Sequence, residues 1–269
     1  MNPNEYITPI LGIFVGILMG LTGAGGGILS VPLLVFFLHL PVSEASPIAL
    51  SAITLSATIG AIQGLREKVL RYRAALLISS FGLIMSPIGL WVAKITPNSP
   101  LQIIFGVVLL FVSMRLYMQA HQTIKGTLPV ASTPPPCQLD LHIGKLIWNV
   151  PCARALILSG MTAGFLSGLL GVGGGFVLVP SLKKFTDLPM KSIVATSLGV
   201  LAIVSAGGAL VTFASGRLNI DLAIPFALGS MFGIILGKVL ESKISGNRVQ
   251  QVFAIFAFLV AINLIYMAL

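Results

Sequence analysis

Two decapeptides carry the most unusual chemistry in the sequence. Residues 23–32 read Gly-Ala-Gly-Gly-Gly-Ile-Leu-Ser-Val-Pro, and residues 171–180 read Gly-Val-Gly-Gly-Gly-Phe-Val-Leu-Val-Pro. Each glycine in a helix interior costs about 1 kcal/mol relative to alanine, so such a cluster ends the helix. Both clusters interrupt long apolar runs, where a break uncovers backbone N–H and C=O groups that hydrocarbon cannot satisfy. A helix restarting after the glycines presents unpaired N–H donors and a partial positive charge. Successive glycines also allow turns that gather N–H groups into an anion-binding concavity. Gly23, Gly25, Gly26, Gly27, Gly171, Gly173, Gly174 and Gly175 are therefore candidate substrate ligands through their backbones. Pro32 and Pro180 follow five residues after the last glycine and would kink the short helix there.

Hydroxyls come next in the chain. Ser51, Thr54 and Thr58 share a helical face by three- and four-residue spacing, as do Ser197, Ser205 and Thr212, with Thr196 beside Ser197. Taken singly, such a hydroxyl usually bonds its own helix's carbonyls. Beside a glycine tip, Ser51, Thr54, Thr196 and Ser197 become candidate contacts to substrate oxygens. Gly12, Gly16 and Gly20, like Gly160, Gly164 and Gly168, recur every four residues and read as close helix packing instead.

Other chemistries find no residues. All seven carboxylates fall in loops or at span ends, so no intramembrane proton relay is visible. Arg115 and Lys238 lie near span ends, where a long basic side chain snorkels to the interface. His39, His121 and His142 form no metal cluster, and no nucleophile–base pair stands out, so no metal, no cofactor and no enzyme activity are expected. Neither glycine cluster fits the Gly-x-Gly-x-x-Gly dinucleotide pattern, because Ile28 and Phe176 occupy the sixth position. Cys137 and Cys152 match no zinc or redox spacing and read as unpaired thiols.

The elements that must position these residues are membrane spans. The chain has 269 residues, is 56% hydrophobic and 9% charged, and has a mean hydropathy of +1.03. A soluble domain carries about 25% charged residues, so the reading is an all-α polytopic membrane protein whose partner is the lipid bilayer. The net charge of +9 then reflects basic cytoplasmic loops and not a nucleic-acid partner. No basic region precedes the first apolar run, so no cleavable signal peptide is expected. Apolar segments cover about 7–40, 45–65, 74–93 and 101–118; after a polar stretch they recur at about 154–185, 192–214, 222–240 and 249–269. The chain divides into a first repeat, 1–118, a proline-containing linker, 119–153, and a second repeat, 154–269.

The repeat is gapless. Moving 148 positions carries Gly12 onto Gly160, the whole first glycine cluster onto the second, Leu40-Pro41 onto Leu188-Pro189, and Gln102 and Phe105 onto Gln250 and Phe253. Duplicated halves typify secondary transporters. Loop charge then sets orientation. The loop at 66–73 has four Lys or Arg and its counterpart only Arg217, whereas the loop at 39–46 has none and its counterpart Lys183, Lys184 and Lys191. By the positive-inside rule, equivalent loops lie on opposite faces. The expected architecture is two inverted repeats, each with one glycine-broken re-entrant segment and three transmembrane helices. Its arm at 176–182, about 10 Å long, falls short of a core of about 30 Å. Eight spanning helices are the alternative. Both termini are expected outside and the linker in the cytoplasm.

The paired Gly-x-Gly-Gly-Gly…Val-Pro runs at 23–32 and 171–180, with Ala195-Thr196-Ser197-Leu198, resemble the sulfite exporter TauE/SafE family of membrane transporters over nearly the whole chain. The first half departs from that pattern with Pro47-Ile48-Ala49-Leu50. The resemblance implies an inner-membrane protein that moves small sulfur-containing or carboxylate anions, commonly outward. The expected function is secondary transport of a small anion by alternating access around the two glycine breaks, with a passive anion channel as the alternative.

Overall fold

A computed structural model describes residues 4–23, 25–124, 135–140, 145–146, 148–216, 218–241 and 246–268. Arg217 and His142 lie outside these described residues. The fold is nearly all helical. Its elements are α1 (Asn4–Thr22), α2 (Gly25–Leu38), α3 (Val42–Arg66), α4 (Tyr72–Ile95), α5 (Asn98–Ile124), α6 (Val150–Leu170), α7 (Gly175–Phe185), α8 (Met190–Ala214), α9 (Ile220–Glu241) and α10 (Gly246–Ala268). A two-residue antiparallel ladder joins β1 (Leu139–Asp140) to β2 (Lys145–Leu146) between α5 and α6.

Helices dominate because each satisfies its own backbone, as lipid demands. Six of them, α3, α4, α5, α6, α8 and α9, are long and apolar enough to cross a membrane. Large apolar side chains such as Trp91, Phe111, Leu158 and Val252 lie 62%, 66%, 62% and 69% exposed, as expected of a surface solvated by lipid tails. The repeat persists in three dimensions. Helices α3, α4 and α5 start at Val42, Tyr72 and Asn98, and α8, α9 and α10 start 148 positions later at Met190, Ile220 and Gly246.

The spaced glycines form the main seams, and the seams cross between the halves. On α1, a Cβ at Gly12, Gly16 or Gly20 would strike backbone of α9 at Phe226, Ser230 or Ile234. On α6, Gly160, Gly164 and Gly168 meet α4 backbone at Ile78, Gly82 and Ser86, the same positions shifted by one repeat. With no hydrophobic drive between helices in lipid, such close backbone approach supplies the van der Waals contact that joins them. Central to the bundle, α3 packs on α8, while α5 pairs with α10. A buried Ser56–Ser230 hydroxyl pair, 2.7 Å apart, pins α3 to α9. Where the repeat replaces these two serines with Val204 and Gly82, side-chain packing replaces the hydrogen bond.

Two expectations need correction. Cys137 and Cys152 are not unpaired thiols: they form a disulfide. Spacing gave no hint, because Cys137 is brought to the bridge by the chain folding back onto the end of α7, where its N–H donates to the Phe185 carbonyl at 3.0 Å. The short second arm is not confined to 176–182; α7 has 11 residues, about 16 Å at 1.5 Å per residue, still short of a hydrocarbon core of about 30 Å. Helix α5 continues to Ile124, and α6 starts at Val150.

Candidate functional site

Each glycine cluster is where one helix stops and the next begins. Helix α1 ends at Thr22, Gly23 turns left-handed at φ 77°, and α2 starts at Gly25. Helix α6 ends at Leu170, and Gly171, Gly173 and Gly174 are all left-handed before α7 starts at Gly175. That conformation costs an L-residue roughly 1–2 kcal/mol, so three in four positions suit glycine alone. The α7 N-terminus carries no side-chain cap and no acidic residue in its first turn, leaving its dipole uncompensated by the chain itself.

The two breaks meet. A Cβ at Gly27 would sit 3.1 Å from the Val172 carbonyl oxygen and 3.4 Å from Ile53 Cδ1. Ile53 also reaches the other break, with its Cγ2 3.2 Å from the Cβ position of Gly173. The same Cβ position would also meet Leu201 Cδ2 and, at 2.8 Å, the Ser205 hydroxyl. Gly23, Gly26, Gly27, Gly171, Gly173, Gly174, Gly175, Ile53, Val172 and Leu201 are all buried, so the meeting point is sealed.

The hydroxyls divide into two groups. Ser51 Oγ donates to the Ile48 carbonyl at 2.7 Å and Thr54 Oγ1 to the Leu50 carbonyl at 2.7 Å, each within its own helix. Thr196 Oγ1 accepts the backbone N–H of Arg71 at 3.1 Å and so holds the start of α4. Ser197 differs: it is fully buried and its Oγ has no hydrogen-bond partner. The same is true of Ser205 and Ser167. Ser197, Leu201 and Ser205 are four residues apart on one face of α8, and that face meets Gly173. Ser167 stands one turn before Gly171 and accepts its N–H at 2.8 Å through the backbone carbonyl. A buried hydroxyl without a partner costs about 1–3 kcal/mol, and three of them on elements that form or flank one glycine break are polar groups left available to a ligand. Ser205 and Ser167 were not picked out as site residues from sequence. The repeat held a signal, since Ala57 and Met19 occupy their places in the first half.

Two cavities flank the sealed tips, and they are copies of one another. One, of about 300 Å³, is lined by Gly64, Glu67, Lys191, Val194 and Lys238. The other, of about 50 Å³, is lined among others by Thr212, Ser215, Ser43, Ser46 and Leu90, the same five positions displaced by one repeat. Val194 lies against Gly23, and Ser46 lies against Gly171, so each cavity leads to one glycine break. Ser46 Oγ also donates to the Leu170 carbonyl at 3.3 Å. In the larger cavity Lys191 pairs with Glu67 at 3.0 Å. That pairing, with the nearby charges of Lys191 and Lys238, holds the Glu67 carboxyl below its ordinary pKa. Lys238 does not simply snorkel outward; its Nζ donates to the Gly60 carbonyl at 3.3 Å. A larger groove of about 410 Å³ between α5 and the α6–α7 hairpin is lined by Val107, Phe111, Leu166, Phe176 and Pro180. Its flanking side chains Val107 and Phe111 are exposed as lipid-facing ones are, and it does not touch the glycine tips.

A multi-pass helical bundle with paired helix breaks buried at its centre defines a membrane transporter. The sulfite exporter TauE/SafE family matches residues 9–264, and the chain belongs to that family. It is 26% identical to a probable membrane transporter protein, YunE, of Bacillus subtilis, over 97% of both chains. It is 28% identical to a probable membrane transporter protein of Methanocaldococcus jannaschii, over 90% of this chain and 88% of that one. A third such protein, from Xylella fastidiosa, is 26% identical over 95% and 92%. No solved structure matches the chain.

Proposed function

We propose that the protein is a secondary transporter of small anions, sulfur oxyanions or carboxylates, that exposes the glycine breaks to one face and then the other. The observation that carries this reading is the pair of repeat-related cavities, about 300 and 50 Å³, on either side of sealed tips. Two access routes of unequal size around one central closure are what a carrier needs in one of its states. An anion at the tips would meet backbone N–H groups and the partnerless hydroxyls of Ser197, Ser205 and Ser167. No step requires bond-breaking chemistry, and the reading is of a carrier and not an enzyme.

The same reading takes the repeats as inverted and the broken segments as re-entrant. In its support, the Lys191–Glu67 pair joins the end of α3 to the start of α8, as inverted repeats require of equivalent helices. The end of the bundle that holds this pair also holds Arg66, Lys68, Arg71 and Arg73, which supports reading it as the cytoplasmic end in a bacterial-type inner membrane. The disulfide lies near this end and pulls the other way, because cytosolic thiols stay reduced. Loop charge summed over several connections governs insertion, and it outweighs a single bond. The test is flux in proteoliposomes against sulfite, sulfate, sulfonates and thiosulfate. Saturable movement of at least one anion supports the carrier; unsaturable conductance at channel rates, or no flux at all, refutes it.

A further inference from the structure

We propose that the larger cavity is a substrate-capture site in which a small oxyanion displaces Glu67 and bridges the ammonium groups of Lys191 and Lys238. The inference rests on the transport reading above and deepens it. Three observations place it there. The cavity floor is Val194, whose side chain lies directly against Gly23, so an anion held here is one side chain from a glycine break. Lys238 is half-buried and bends onto the α3 backbone at Gly60, which keeps its charge within the cavity. The fold itself does not require these charges, because the repeat-related cavity has Ser43, Leu90 and Ser215 at the same three places.

Glu67 acts as a resident counter-ion. Without it, two lysines facing one cavity repel; with it, that repulsion is offset while the site keeps a net positive charge and remains reachable. The Lys191–Glu67 pair is largely exposed, at 66% and 48%, and exposed pairs contribute little, so an anion with two or more oxygens can replace the carboxylate readily. The asymmetry also gives the two mouths different affinities. The mouth with two lysines collects anions, and the other mouth, lined by hydroxyls and the single lysine Lys94, holds them more weakly.

The experiment compares Lys191→Gln, Lys238→Gln and Glu67→Gln in the full chain. Binding of sulfite, methanesulfonate and sulfate is read on purified protein, and their flux is read in proteoliposomes. A capture site predicts opposite signs: each lysine variant weakens anion binding at least tenfold, and Glu67→Gln tightens it at least threefold. A merely structural salt bridge predicts that Glu67→Gln and Lys191→Gln, which break the same pair, behave alike. Equal-direction shifts, or lysine variants within twofold of wild type, overturn the capture site and leave transport standing. Opposite-sign binding effects without any wild-type flux keep the capture site and overturn transport. Absence of binding to all three anions overturns the capture site outright.

Discussion

Replacing Gly164 with alanine tests whether the seams between the halves are as tight as the structure requires. The new Cβ would fall on the Gly82 carbonyl oxygen, with the Gly82 Cα at 2.5 Å and its carbonyl carbon at 2.7 Å. All three are backbone atoms of a facing helix, so relief needs α4 and α6 to move apart by roughly an ångström along their whole contact. Overpacking of this kind costs about 1–3 kcal/mol, against a gain of up to about 1 kcal/mol in helix propensity. The net expectation is a loss of about 1–2 kcal/mol. Gly207 on α8 supplies the control, because a Cβ there would meet only the terminal carbons of Leu83, a side chain 37% exposed and able to rotate. Gly207→Ala is therefore expected to be neutral or stabilising by up to about 1 kcal/mol. Reversible unfolding in mixed micelles, followed by far-ultraviolet circular dichroism, should separate the two variants by about 2 kcal/mol, roughly thirtyfold in the unfolding equilibrium. If they unfold within 0.5 kcal/mol (about twofold) of each other, the seam is not the close backbone contact described.

Three further outcomes follow from the site and its surroundings. Ser205→Ala removes a buried hydroxyl that has no partner, so stability should hold or rise by about 1 kcal/mol while anion flux falls at least tenfold; unchanged flux would remove Ser205 from the substrate path. Maleimide-polyethylene glycol added to denatured, unreduced protein should shift no band, and after reduction should add two tags, for Cys137 and Cys152; tagging before reduction would contradict the bridge. Because Lys191 lowers the Glu67 pKa, their mutual stabilisation is present above the ordinary carboxylate value of 4.5 and is lost as pH falls through the depressed folded value. Glu67→Gln should therefore lower stability slightly at pH 7 and flatten its acid dependence, with the two proteins converging once pH has fallen below the depressed folded value; a gap that widens in acid would reverse the assignment.

Much of the fold could be read from local pattern. Glycine clusters stop helices wherever they occur, so the breaks at Gly23 and Gly171 were legible, as was the packing role of Gly12, Gly16, Gly20 and their copies. Charge and length together made the membrane assignment. What escaped was whatever depends on distant partners. Thr196, a candidate substrate contact, also accepts the Arg71 N–H from 125 positions away. Ser51 and Thr54 followed the plain rule for hydroxyls in helices and bonded their own carbonyls. Lys191 and Lys238 read as loop charge and interface charge, because nothing in either segment shows that α3, α8 and α9 close one cavity around them. Ser197 alone among the four nominated hydroxyls remains without a protein partner, and burial, not spacing, singled it out.

The crossed seams have a consequence for what can be taken apart. Helix α4 rests on α6 and α8, and α9 rests on α1 and α3, so the main partners of these helices lie in the other half. A fragment ending after α5 would turn the glycine face of α1 and the inner face of α4 towards lipid, where small residues gain nothing. Such a fragment can close only against the helices of the other half. The two halves thus behave less like two domains on a string than like an obligate dimer whose subunits happen to share one polypeptide.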